Sequence, residues 1–151
     1  MLRLSKLTDY AMVILTCMAK NQDNLHTAVD IAKATGVALP TVSKILKALL
    51  KANVLVSMRG AKGGYRLART AEKITIATVI SALEGPIALT ECSISHQDCG
   101  QVSGCEIGGV WGRINQTVFN ALEAITLADM VFPAHTPQEI SIPLSSLYRR
   151  V

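Results

Sequence analysis

The sequence lacks an apolar run long enough to cross a bilayer. Its longest such stretch, residues 10–19, is shorter than the roughly 20 residues that a membrane-spanning helix needs. Arg3 and Lys6 precede this stretch, as basic residues do in a signal peptide. However, Asp9 interrupts the approach and no cleavage-type segment follows before Lys20. The pattern therefore predicts a buried helix in a cytoplasmic protein that has no membrane partner.

The motifs of enzymes are also missing. The sequence suggests no Ser–His–Asp or Cys–His set, its three histidines are scattered, and it has no phosphate-cradling GxxxxGK[ST] motif. We therefore expect neither an enzyme nor a small-molecule substrate. Aromatic residues make up only 4% of the 151 residues, whereas 50% of the residues are hydrophobic. This composition predicts an aliphatic core in one compact domain with an appendage.

Basic residues are absent from residues 74–112, although the whole chain carries a formal net charge of +4. Residues 40–73, in contrast, hold eight basic residues and one acid, so this segment carries +7 and everything else carries −3. A chain whose charge is separated in this way can place one surface on phosphates while another part does different chemistry. The distribution favours a polyanionic partner such as nucleic acid.

The first third of the chain predicts three helices. Residues 4–20 have an apolar helical stripe. Thr27 and Asp30 then have the spacing of a capping box at the start of a second helix, which Gly36 ends. Residues 39–53 form the third. Two short helices separated by a Gly-containing turn predict a helix-turn-helix, whose second helix enters the major groove.

The outward face of that recognition helix is polar and basic. Its outward residues are Thr41, Ser43, Lys44 and Lys47. Hydroxyl groups near the helix start can reach base edges, whereas lysines suit phosphates. We therefore expect these four residues to bind double-stranded DNA.

The following segment VLVSMRGAKGGYRLA predicts a strand, a glycine-rich turn and a second strand, which together form a wing. Arg59 and Lys62 lie at the tip of the turn, and an arginine there can enter the minor groove, where narrow A·T segments concentrate negative potential. The glycines Gly60, Gly63 and Gly64 let the chain reverse tightly. We predict DNA contacts at both cations and at Gly63 and Gly64.

The whole chain divides into four parts. Residues 1–85 are expected to form the winged helix-turn-helix domain, and residues 86–107 a cysteine loop. Residues 108–131 have the pattern of one long helix, whose surplus apolar surface predicts a homodimer. The tail, residues 132–151, has no clear structure. The predicted fold is thus mainly α, with a small β wing and a long C-terminal dimerisation helix.

Three cysteines, Cys92, Cys99 and Cys105, share one loop. Thiolates are soft ligands that suit iron–sulfur clusters and zinc. Structural zinc sites usually contain cysteine pairs separated by about two to four residues. These cysteines are separated by six and five residues, so the spacing favours a cluster. A disulfide switch made from the same thiols is the alternative, and Cys17 is expected only to pack in its apolar helix.

The opening LRLSKLTDYAMVIL, the helix-turn-helix, the wing RGAKGGYRL and the three-cysteine loop together resemble the iron–sulfur cluster regulator family of winged-helix repressors. The resemblance covers about residues 1–130, and the ISIPLSSLY tail looks most like the Suf-regulator branch. It implies a homodimer that binds palindromic operators and holds a cluster, 2Fe–2S rather than 4Fe–4S, on three loop cysteines. Arg59 matches the family's wing arginine, and Thr41, Ser43 and Lys44 fall where the recognition helix reads bases.

The resemblance leaves the fourth cluster ligand open. Some family members supply a histidine three residues after the third cysteine, but this chain has Gly108 there. Other members recruit an acid near the N-terminus of the partner subunit, and Asp9 stands in the matching place. His96 and Glu106 are local alternatives, and a free position or an exogenous thiol is also open.

The resemblance also implies the direction of regulation. We expect the cluster-bound form to repress genes for cluster assembly, and cluster loss or oxidation to derepress them. The loop lies between the winged domain and the dimer helix, so its state can bias a two-state equilibrium with a coupling of roughly 1–3 kcal/mol. A nitric-oxide-sensing or thiol-redox repressor of the same fold is the alternative function.

Overall fold

The computed structural model describes residues 3–60, 62–93, 105 and 107–132. In chain order, its elements are α1 (Lys6–Ala19), α2 (Ala28–Thr35), α3 (Leu39–Lys51), β1 (Leu55–Met58), β2 (Gly64–Leu67), a 3-10 turn (Ala71–Lys73), α4 (Ile76–Glu84), a second 3-10 turn (Glu91–Ser93), α5 (Gly108–Glu123) and α6 (Leu127–Val131). The predicted mainly α fold with a small β wing is confirmed. None of the helices described is long and apolar enough to cross a membrane.

The first helix is fixed at its start by a serine cap and along its length by an apolar stripe. Ser5 Oγ accepts a hydrogen bond from the Thr8 amide at 3.3 Å, which satisfies one of the amides that a helix start leaves unpaired. Ile14, Leu15 and Met18 recur at helical spacing and are at most 1% exposed. Helix α1 therefore contributes to the core, where it packs against α2, α3, α4 and α6.

Helices α2 and α3 form the predicted helix-turn-helix. Thr27 Oγ1 accepts a hydrogen bond from the Asp30 amide at 3.2 Å and donates one to the Asp30 carboxylate at 2.6 Å. The hydrogen bond from the Thr27 hydroxyl has the largest effect and, with one from the Thr27 backbone, holds the pKa of Asp30 below its usual range. Helix α3 carries Pro40 in its first turn, where the missing amide proton costs no helical bond. Its inward residues are Val42, Ile45, Leu46 and Leu49, all 0% exposed.

The wing is an antiparallel hairpin. The facing pairs are Leu55 with Leu67, Val56 with Arg66, Ser57 with Tyr65 and Met58 with Gly64. Because side chains alternate between the two faces of a strand, this register sends Leu55 and Leu67 into the core and leaves Val56 and Arg66 exposed. Tyr65 and Leu67 are two residues apart on β2, and both pack on the core.

The prediction of one long helix over residues 108–131 is wrong, because the chain breaks between α5 and α6. The Ile76 amide donates to the Ile125 carbonyl at 2.9 Å, and the Leu127 amide donates to the Ile74 carbonyl at 2.8 Å. Thr126 then caps α6 in a full capping box with Asp129. These strand-like bonds and the new cap end α5 and start a separate helix.

Helix α6 belongs to the core of the winged domain. Leu127 is 0% exposed and is part of the same hydrophobic cluster as α1 and α4. Helix α6 packs against α1 and against the turn Ala71–Lys73. The predicted tail beyond Phe132 lies outside the described residues.

Candidate functional site

The recognition helix α3 presents the four predicted DNA-contacting side chains away from the core. Lys44 and Lys47 are exposed, and Thr41 and Ser43 are half-buried. The opposite side of α3 is fully buried in the core, so the orientation of the helix is fixed by packing. The two hydroxyl groups lie within the first turns of α3, which are the turns that reach base edges in helix-turn-helix proteins.

The wing adds two cations to this surface. Arg59 and Lys62 are exposed at either side of the turn between β1 and β2. The turn is closed by a hydrogen bond from the Gly63 amide to the Gly60 carbonyl at 2.9 Å. This geometry leaves both long cationic side chains in solvent, as a phosphate or minor-groove contact requires.

Gly63 and Gly64 have a structural reason to lack side chains. A Cβ on Gly63 would lie 2.3 Å from the Met58 carbonyl oxygen, and a Cβ on Gly64 would lie 2.9 Å from the His26 carbonyl oxygen. Both approaches are to backbone atoms, which cannot rotate away. The packing of the hairpin therefore accounts for both glycines, and DNA contact at these two positions stays a prediction.

The wing is attached to the connection between α1 and α2. The His26 amide donates to the Tyr65 carbonyl at 2.9 Å, and the Tyr65 amide donates to the His26 carbonyl at 2.8 Å. His26 thus pairs with β2 as a one-residue third strand. Sequence reasoning found only that the histidines are scattered and missed this role, because the role depends on the His26 backbone rather than on the imidazole ring.

The basic segment found in the sequence becomes a solvent-facing set of cations. All eight basic side chains of residues 40–73 are exposed: Lys44, Lys47, Lys51, Arg59, Lys62, Arg66, Arg69 and Lys73. They extend from α3 through the wing to the following turn. A surface of this charge favours phosphate groups and releases their counterions on binding.

The cysteine loop is described only at its two ends. Cys92 is the middle residue of the turn Glu91–Ser93. Cys105 is exposed and lies three residues before α5 begins. The predicted ligand Cys99 and the alternatives His96 and Glu106 lie outside the described residues. Within the part of the loop that is described, no three potential ligands converge on one point.

The donor chemistry of the loop nevertheless suits a cluster. The exposed Cys105 thiol would lie only 3.8 Å from a Cβ built on Gly108, so the exit of the loop lies against the start of α5. Three thiol side chains on a segment without a lysine or arginine supply soft, anionic ligands. Cys17 is half-buried in α1, in keeping with a packing role.

The entrance of the loop is held from two sides. Glu84, the last residue of α4, accepts hydrogen bonds at one carboxylate oxygen from the Ser5 amide at 2.8 Å and from the Thr8 hydroxyl at 2.5 Å. These two bonds hold the pKa of Glu84 below its usual range, and the bond from the Thr8 hydroxyl has the larger effect. On the other side, the Asn115 side chain of α5 bonds the backbone of Ile87 and Leu89.

The predicted fourth ligand Asp9 is exposed in the first turn of α1. Its neighbour Thr8 is 0% exposed and joins α1 to Glu84. Asp9 is therefore carried on a turn that is hydrogen-bonded to the residue just before the loop. Sequence reasoning missed the bond between Thr8 and Glu84, although a single threonine in an apolar helical stripe was a signal that its hydroxyl needed a partner.

Comparison with known proteins agrees with this arrangement. The Rrf2 family model, described as "Iron-dependent Transcriptional regulator", matches residues 4–133. The protein aau3 of Rhizobium meliloti (strain 1021) is 34% identical over 131 residues, which cover 86% of this chain and 85% of that protein. The transcriptional regulator IscR of Vibrio campbellii is 30% identical, over 83% of this chain and 77% of its own length.

A solved structure has the same fold. CymR, the global cysteine regulator of B. subtilis, superimposes with a TM-score of 0.69 at 27% identity, covering 89% of this chain and 99% of the CymR chain. The family description, IscR and CymR all name regulators, which confirms the prediction that the chain is not an enzyme. The matched residues span α1 to α6, so the chain belongs to the Rrf2 family of transcriptional regulators.

Proposed function

We propose that this protein is a homodimeric repressor that binds double-stranded DNA operators and senses an iron–sulfur cluster. The observation that carries the proposal is a single arrangement. An exposed basic helix-turn-helix and wing lie on the same small domain that holds, through Glu84 and Asn115, the entrance of a three-cysteine loop. DNA binding and the state of the loop can therefore affect each other within one core.

The DNA half of the proposal assigns roles to individual side chains. Thr41 and Ser43 read base edges in the major groove from the start of α3, while Lys44 and Lys47 bind the phosphates on either side. Arg59 and Lys62 bind at the adjacent minor groove. The exposure of all four cations and the burial of the opposite side of α3 support this orientation.

The homodimer is supported by the apolar surface that α5 leaves uncovered. Near its start, Ile107 is 60% exposed, Val110 is 55% exposed and Ile114 is 40% exposed. Large apolar side chains exposed together on one helix are typical of a surface that a partner buries. A symmetric pair of winged domains then binds two operator half-sites about one helical turn apart.

For the cluster, we propose Cys92, Cys99 and Cys105 as ligands, with Asp9 of the partner subunit as the fourth. The description of the family as iron-dependent supports an iron-containing effector. A bound cluster, 2Fe–2S in this proposal, would supply redox-sensitive iron. Because an oxygen ligand binds such iron less firmly than a thiolate, the fourth position is the one that suits a sensor.

The proposed regulated genes are those for cluster assembly, as in the Suf-regulator branch, with repression by the cluster-bound form in the cytoplasm.

The decisive test begins with anaerobic purification. Iron and sulfide are counted per chain, visible absorption is recorded, and operator binding is measured before and after cluster removal. Cys99→Ala should abolish the visible absorption while leaving the apo fold intact. A wild-type protein that stays iron-free after reconstitution contradicts the proposal.

A thiol-redox repressor is the second candidate. It is favoured by the structural similarity to CymR, which is named as a cysteine regulator. In that case, the loop thiols would form a disulfide on oxidation and the protein would stay colourless. Dithiothreitol would then control operator binding in the absence of iron. A nitric-oxide sensor would instead load the cluster and lose its absorption on nitrosylation.

A further inference from the structure

One side chain of α5 is bonded to the loop entrance by both of its polar atoms. Asn115 Oδ1 accepts a hydrogen bond from the Leu89 amide at 3.0 Å, and Asn115 Nδ2 donates one to the Ile87 carbonyl at 3.2 Å. The amide group thus satisfies one donor and one acceptor of a chain segment that has no helix or strand of its own. Asn115 is half-buried, so both bonds are partly shielded from water.

These two bonds hold the chain just before Cys92. Leu89 lies three residues before Cys92, and the turn Glu91–Ser93 that contains Cys92 packs on α5. The exit of the loop lies against the same helix, because Cys105 is three residues before the start of α5 and lies close to Gly108. Both ends of the loop therefore lie against the same helix, α5.

We propose that Asn115 is a positioning residue that fixes Cys92 relative to Cys105 and so preorganises the cysteine loop for its cluster. The inference rests on the proposed cluster-binding function. Groups that orient metal ligands through hydrogen bonds change metal retention when they are removed, even though they do not touch the metal. Asn115 acts in this way through the backbone of the entrance rather than through a ligand side chain.

The chain contains a matched control on the same helix. Asn120 is an exposed asparagine whose Oδ1 accepts a hydrogen bond from Gln116 Nε2 at 2.8 Å, a contact within α5 that does not involve the loop. Asn115→Ala and Asn120→Ala therefore remove the same chemical group from the same helix. Both changes favour helix formation, so neither is expected to unfold α5.

The test compares full-length wild-type protein with both variants. After anaerobic reconstitution, Asn115→Ala should lose iron to a chelator about 10- to 100-fold faster than the wild type, with an altered visible circular dichroism spectrum. Asn120→Ala should behave as the wild type does. In the apo protein, hydrogen exchange of the Leu89 amide should accelerate at least about tenfold in Asn115→Ala alone.

Asn115→Asp provides a second variant of nearly the same shape. It keeps the acceptor for the Leu89 amide but places an oxygen against the Ile87 carbonyl, so it should also release iron faster. If either Asn115 variant folds and retains iron as the wild type does, the positioning role is overturned. If the wild type itself takes up no iron and sulfide, the proposed function fails instead, which the wild-type sample alone reveals.

Discussion

At the scale of single residues, position 64 determines how the wing meets the rest of the domain. The backbone of His26 lies so close to Gly64 that a Cβ there would lie 2.9 Å from a carbonyl oxygen. The sequence predicted that glycines let the hairpin turn. It could not predict this close approach, because the pairing of His26 with Tyr65 joins residues far apart in the chain.

Gly64→Ala should therefore destabilise the domain. The added methyl group displaces either β2 or the His26 backbone, and we expect a loss of about 1–3 kcal/mol in the free energy of unfolding. Urea titration followed by circular dichroism measures this loss. Gly112→Ala is the control, because its Cβ meets nothing within 4 Å and lies in α5, where alanine favours the helix. Equal stability of the two variants would contradict the proposed close packing.

At the scale of elements, the start of α2 was predictable, whereas the end of α5 and the start of α6 were not. Thr27 and Asp30 showed their capping-box spacing in the sequence, and the structure has α2 beginning there. Thr126 and Asp129 have the same spacing, but the apolar pattern over residues 108–131 hid it. The break depends on hydrogen bonds to Ile74 and Ile76, which no local pattern contains.

The contact between α1 and α4 predicts a pH dependence. Bonds from the Thr8 hydroxyl and the Ser5 amide lower the pKa of Glu84 in the folded protein. A carboxylate with a lowered folded pKa stabilises the protein above its ordinary pKa of about 4.3. That contribution is lost as the pH falls through the folded pKa. The difference in unfolding free energy between wild type and Glu84→Gln should thus shrink from pH 7 towards pH 3.

Thr8→Val tests the same contact from the other partner. It removes the hydroxyl that bonds Glu84 but keeps the shape of a side chain that is 0% exposed. We expect a loss of about 1.5–3 kcal/mol at pH 7, the range for hydrogen bonds to charged groups. In Glu84→Gln, the same Thr8 change should cost less. Additive losses in this double-mutant cycle would show that the two residues are not coupled.

At the scale of the whole molecule, the positive charge is separated from the cysteine loop. The sequence alone predicted this separation, because eight basic residues lie within the one segment of residues 40–73, before the loop begins. The structure adds that all eight are exposed on α3, the wing and the neighbouring turns. The proposed loop ligands follow from residue type alone, whereas the bonds that hold the loop entrance required the packed arrangement of α1, α4 and α5.

Arg59→Ala should weaken operator binding without changing stability, because the side chain is exposed at the wing. We expect a loss of about 1–3 kcal/mol in the free energy of operator binding. The slope of log affinity against log salt concentration should fall by about one. Fluorescence anisotropy with operator DNA at several salt concentrations measures both. Lys6→Ala is the control, since Lys6 is exposed at the end of α1 that lies nearest Glu84. Unchanged affinity in Arg59→Ala would remove the wing from the DNA interface.

Helix α5 is fastened to the winged domain at two separate points. Asn115 bonds the loop entrance, and after the helix ends, Thr126 pairs with Thr75 in an isolated bridge. Close to that bridge, Glu123 accepts a hydrogen bond from the Thr75 hydroxyl at 2.8 Å. Because α5 is held at these two points, it cannot rotate about its own axis without breaking one of the attachments. A second subunit that bound the apolar side of α5 would therefore orient the two winged domains through these two attachments.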